Sequence, residues 1–150
     1  MGGRIPFVNP APVLSDITTD TQHPPDYVAL TELRGNAATQ PYPGEALAER
    51  QRAAYPDIQP LTLSLSKDEA FAKALGAVRQ LGWKLVAADG PAGRIEASAS
   101  TLFGTVDDVV VRVSESEGGS RVDVRSASRD PVGGANASRV RAILQALAPS

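Results

Sequence analysis

His23 is the single histidine of the chain, and Asp16, Asp20 and Asp26 lie close to it in sequence. A histidine among carboxylates can hold a metal, or act as a base toward a nearby serine. Zinc sites draw on more histidine or cysteine than this chain contains. The preferred reading is therefore a local turn, in which Asp16 and Asp20 accept backbone N–H bonds ahead of Pro24-Pro25. Neither a metal nor a cofactor is expected.

Three other groupings could do chemistry. With a turn placed at Gly118-Gly119, Val113 pairs with Val124, and the opposite face stacks Asp108 on Arg129, Arg112 on Arg125, Ser114 on Asp123 and Ser116 on Arg121. Opposed arginines repel, so this face is expected to be a solvated charge ladder or to hold an anion or carboxylate. A third arrangement puts the N-terminal arm over the face, with Asp16, Asp20 and Asp26 as counter-charges. The second grouping runs from Arg129 to Asn136, where Gly133, Gly134 and the cap residue Asn136 enter a helix; such loops can present N–H groups to an anion. It lacks the phosphate-loop lysine and the dinucleotide glycine spacing, so a structural loop is preferred. The third is Asp107-Asp108 beside Gly104 and Thr105. Adjacent strand residues point to opposite faces and form no acid/base dyad unless a bulge turns one of them, and Val106, out of parity, points to a bulge here that is structural.

The elements that position these residues are legible from periodicity. Leu61 to Leu65 alternates as a strand does. Ser66 sits three residues before Glu69, the spacing of a capping box, and Ala70, Phe71, Ala74, Leu75, Val78 and Leu81 then share one helical face. This predicts a helix from Lys67 to Leu81, closed by Gly82. A four-strand meander follows. Its first hairpin matches Ala88 with Arg94, Ala87 with Ile95, Leu85 with Ala97 and Trp83 with Ala99, burying Trp83. Val140, Ile143, Leu144 and Leu147 give a last helix one apolar stripe.

Nine of the twelve prolines precede Leu61, which predicts an extended arm over residues 1–60 with one short helix, Glu45 to Ala54, ended before Pro56. Val13, Leu14, Ile17, Tyr27, Val28 and Leu30 are too many apolar residues for a solvated tail, so the arm is expected to lie on the domain of residues 61–150. That domain is read as α+β: a mainly antiparallel four- to five-stranded sheet with two helices on one face, in the order β-α-β-β-β-β-α, the first strand joining either edge.

Fifteen lysines and arginines against 17 aspartates and glutamates in 150 residues give no basic excess, so no nucleic-acid partner is expected. The absence of cysteine excludes disulfides, thiolate metal sites and a cysteine nucleophile. No run has the length of a membrane span.

Asp16-Ile-Thr-Thr-Asp20 with Pro24-Pro25, Leu81 to Val86, Arg94 to Ala97, Phe103 to Arg112, Ser120 to Ser126 and the segment Arg129 to Arg141 resemble the bacterial domain-of-unknown-function 1499 family. The likeness covers nearly all of the chain from Asp16 onward. Many relatives carry a cysteine motif where this chain has Thr18-Thr19, so it is similar to a cysteine-free branch. The resemblance implies a periplasmic or otherwise extracytoplasmic domain, attached to a membrane only through an anchor upstream of this sequence. It transfers no activity and no catalytic residues.

The expected function is a non-enzymatic binding or scaffolding domain of the cell envelope. Its partner would be an acidic protein or a small anionic ligand, met by Arg112, Arg125, Arg121, Arg129 and Asp108. The alternative is a small-ligand or anion-binding module, or a weak hydrolase, using His23 and the 129–136 loop.

Overall fold

The computed structural model describes residues 13–35, 41–130 and 134–149. Its best-specified element is the helix α3, Lys67–Gln80, where the Ser66 hydroxyl accepts from the Glu69 N–H and the Glu69 carboxylate accepts from the Ser66 N–H. Gly82 follows the Leu81 cap, and the chain then enters the meander as expected. Leu81 itself is more than a third exposed rather than part of the apolar stripe.

The meander is β3 (Lys84–Asp89), β4 (Arg94–Ser100), β5 (Val106–Ser116) and β6 (Gly119–Ser128), all antiparallel neighbours. In the first hairpin Leu85 meets Ala97 as expected. A bulge at Val86 then brings Asp89 opposite Arg94, Ala88 opposite Ile95 and Ala87 opposite Glu96. Trp83 lies just before the strand and is half-buried, with the Arg139 guanidinium 5.9 Å from its ring centre.

The second hairpin is shifted by two residues from the expected pairing. Its two-residue turn is Glu117-Gly118, with Gly118 at φ 78°, so Ser116 pairs with Gly119 and Val113 with Val122. A two-residue shift preserves the faces but changes every cross-strand partner. Arg112 therefore lies opposite Asp123, Arg125 opposite Val110, Ser114 opposite Arg121 and Asp108 opposite Ala127.

Two short strands share the free edge of β6. β2, Leu61–Leu63, pairs with Ser120 to Val122, and β1, Asp16–Thr18, pairs with Arg125 to Ala127. The sheet thus has six strands, one of them from the arm. The arm also supplies the single-turn helix α1, Thr31–Arg34, and the helix α2, Glu45–Ala54, with the limits expected of it.

α3 and α4 (Asn136–Leu147) cover one sheet face. There Ala70, Ala74, Val78, Val140, Ile143 and Leu147 meet Ile17, Leu63, Ile95, Val109, Val111, Val113, Val122 and Val124, all buried. Leu14, Leu47 and Ile58 from the arm join the same core.

Candidate functional site

Because Ile95, Ala97, Val109, Val111, Val122 and Val124 face the helices, alternation sends Glu96, Asp108, Val110, Arg112, Asp123 and Arg125 to the other face. That face is not solvated. Glu96 and Asp108 are fully buried, and Asp123 and Arg125 are 1% and 5% exposed. Charges this deep require ionic or hydrogen-bonded partners, and the arm brings them.

Asp16, on β1, grips Arg125 through two bonds, Nε to Oδ1 at 3.0 Å and Nη2 to Oδ2 at 2.8 Å. Burial pushes the Asp16 carboxyl above its ordinary pKa even against the pull of Arg125. The third Arg125 bond runs from Nη1 to the Pro25 carbonyl. Tyr27 is wedged between cations, its ring centre 4.6 Å from the Arg34 guanidinium and 5.0 Å from that of Arg125. Burial raises the Tyr27 hydroxyl far above its usual range, which keeps it protonated as the donor to the Asp108 carbonyl. Arg34 and Arg129 both pair with the Asp108 carboxylate, at 2.9 and 2.8 Å. Glu96 accepts the N–H groups of Val28, Ala29 and Leu30, at 2.8, 2.8 and 3.1 Å, and so holds the turn that leads into α1 against the sheet.

The open margin of this network surrounds Asp20. Its Oδ1 accepts the N–H groups of Gln22 and His23, and its Oδ2 meets Arg112 and Arg121 at 3.2 and 3.3 Å. Partial burial pushes its carboxyl up, but the two N–H groups and the two arginines outweigh this and hold it below the ordinary value. Arg112 and Arg121 also pair with Asp123, which takes a bond from the Thr19 hydroxyl.

Arginine does oppose arginine in this sheet, but the pair is Arg94 and Arg112, on β4 and β5. They line a groove of about 250 Å³ with Pro25, Asp26, Val28, Ala92 and Val110. Arg112 is held by the His23 carbonyl at 2.9 Å and by Asp20. Arg94 makes ion pairs at 3.4 Å to Glu96 and 3.5 Å to Asp89, too long to satisfy its fork, and is about a quarter exposed. The groove thus sets two arginines and Asp26 around the apolar atoms of Val28, Ala92 and Val110.

The other candidate residues are placed elsewhere. The His23 side chain is exposed; its neighbours Asp16 and Asp20 are engaged with Arg125 and with the turn, so only Asp20 forms the local turn expected of both. No cluster of three metal-binding side chains occurs among the described residues. Gly133 lies outside the described residues. Gly134 and Asn136 stand on the helix side of the sheet, opposite His23, whereas Arg129 reaches Asp108 on the arm side.

Asn136 is the first helical residue rather than the cap. Its side chain accepts from Ser126 and donates to Ser128 and to the Leu14 carbonyl. The end of α4 is served instead by Asp107, which accepts the Ala135 N–H at 2.8 Å and pairs with Arg139. A β-carbon on Gly134 would lie 2.7 Å from Asp107 Oδ1 and 2.0 Å from Ser128 Oγ, so glycine lets the loop approach. Pairing along β5 is unbroken, so Asp107 and Asp108 do face opposite sides and no bulge joins them.

The family model described as "Protein of unknown function (DUF1499)" matches residues 16–147, from the Asp16 that binds Arg125 to the last turn of α4. No curated protein matches the chain.

Proposed function

From the premise that the chain belongs to this family of unknown function, we propose that it is a non-catalytic binding domain of the bacterial cell envelope that captures a carboxylate of an acidic partner in the Arg94–Arg112 groove. The envelope location is an expectation attached to the family resemblance. The observation that carries the binding reading is Arg94: a cross-strand neighbour of another arginine whose planar fork is left without a close acceptor among the described residues. A partner carboxylate would use that fork, while Val28, Ala92 and Val110 take apolar atoms beside it.

The hydroxyls nearby support binding rather than hydrolysis. Thr19 and Ser98 donate to Asp123 and Asp108, carboxylates already engaged by Arg121 and Arg129, so neither hydroxyl faces a free carboxylate. The alternative small-ligand site would require His23 to act together with Gly134 and Asn136, and the sheet lies between them.

A glutamate-rich peptide titrated against the isotope-labelled protein tests the proposal. The Nε–H signals of Arg94 and Arg112 should shift together, and Arg94→Ser should weaken binding about tenfold, the loss of one charge-assisted contact. Arg94→Lys should recover only part, because lysine lacks the fork. Equal affinity for Arg94→Ser, at an unchanged melting temperature, would remove the groove from consideration.

A further inference from the structure

The β4–β5 connection, Thr101 to Thr105, carries two large apolar side chains that touch almost nothing: Leu102 is 102% exposed and Phe103 94%. Scattered surface leucines are ordinary. Here two adjacent ones stand at the tip of a hairpin whose shape is internally bonded. The Thr101 N–H donates to the Thr105 carbonyl and the Gly104 N–H to the Thr101 carbonyl. Phe103 and Thr105 N–H groups both donate to the Thr101 hydroxyl, which also bonds the Thr105 hydroxyl. Four of the five backbone N–H groups of the tip are therefore satisfied within it, those of Thr101, Phe103, Gly104 and Thr105.

We propose that this tip is a wedge that inserts Leu102 and Phe103 into the interfacial layer of a phospholipid bilayer. Three features select lipid over a protein. A phenylalanine and a leucine supply on the order of 300–400 Å² of apolar area, whereas stable protein interfaces bury roughly 1,200–2,000 Å² in total. A convex finger also needs a matching cavity on a protein, while lipid deforms around it. Finally, a segment entering the interfacial layer gains from bringing its own hydrogen bonds, and this turn satisfies four of its five N–H groups internally, leaving that of Leu102 to the headgroup region.

Charge assists from the flanks. α3 ends and β3 begins at the same end of the sheet as the tip, which places exposed Arg79 and Lys84 there. No ion pair is formed by either among the described residues. Asp130 is exposed at this end too, so attraction to anionic headgroups is modest and the apolar pair leads. Two side chains give weak, reversible attachment, suited to orienting a domain at a membrane surface. The contact is made by the folded domain itself, with no spanning segment; among the described residues no helix is long and apolar enough to cross a membrane.

Sedimentation of the full chain with phosphatidylcholine vesicles, with and without phosphatidylglycerol, tests this. The protein should bind both, more tightly when phosphatidylglycerol is present. Leu102→Ser with Phe103→Ser should reduce binding at least about tenfold, while melting is unchanged because neither side chain packs against the fold. Phe103→Trp should add a fluorescence component that brominated acyl chains quench. Failure of the wild type to sediment with either vesicle, or equal binding by the double variant, overturns the proposal. So does a concentration-dependent dimer abolished by the double variant, which would seat a second copy on the tip.

Discussion

Asp16 and Arg125 define what the covered face costs and how it is held. Each is nearly fully buried, with side-chain exposures of 8% and 6%, and each satisfies the other through two bonds. Desolvating both charges consumes much of their mutual attraction, so the pair adds little net stability over an apolar replacement. Breaking it is different, because one bare charge then stays buried. Asp16→Ala should destabilise the fold by about 3–5 kcal/mol, and Asp16→Leu with Arg125→Met should recover most of that loss. Chemical denaturation of Asp16→Leu, Arg125→Met and their combination measures the coupling. Additive losses would mean that Arg125 finds another acceptor when Asp16 is removed.

Among the elements, those specified by nearby residues were legible in the sequence. Ser66 and Glu69 marked α3, Pro56 marked the end of α2, and the alternating valines assigned the faces of β5 and β6. The register of the last hairpin was not, because Glu117-Gly118-Gly119 offers two glycine-containing turns that leave the valines on the same side. Only the cross-strand charges distinguish them, and the true register puts Arg112 beside Asp123 instead of Arg125. Two helix starts were equally hidden. α1 and α4 have no capping side chain of their own, and Glu96 and Asp107 instead anchor the residues that lead into them, across long separations in sequence. No local motif announces such an anchor. The arginine pair of the groove was missed for the same reason, since pairing Arg94 with Arg112 needs the β4–β5 register.

The Glu96 anchor makes an element-scale prediction. Glu96→Gln keeps the shape but loses a carboxylate that accepts three N–H groups, so it should cost about 1.5–3 kcal/mol. Amide exchange should accelerate first at Val28, Ala29 and Leu30, while β5 and β6 stay protected. Uniform acceleration through the sheet would show instead that arm and sheet open only together.

At the scale of the whole molecule, one sheet is covered by two unlike layers. Helices hold one face mainly by apolar packing, with Asp107 and Arg139 as an ion pair at the start of α4. The arm holds the other by ion pairs, so acid should act on that side. Asp20, at the open margin, has its carboxyl below the ordinary value of 3.8, so its contribution is fully present above that pH and disappears as pH falls through the depressed native value. Asp16 has the opposite sign: its raised native pKa makes the fold take up a proton before the unfolded chain does, so it does not drive loss of stability on acidification. Asp20→Asn isolates the first effect. At neutral pH it should lower stability by about 1 kcal/mol, a modest figure because Arg112 and Arg121 are partly solvated. As pH drops below 3.8 the wild-type carboxyl begins to protonate, and the difference between the two proteins should shrink toward zero. Thermal midpoints measured in parallel from neutral to strongly acidic buffer provide the check. A difference that stayed constant across that range would place the role of Asp20 in turn geometry that asparagine fails to reproduce, and not in its charge.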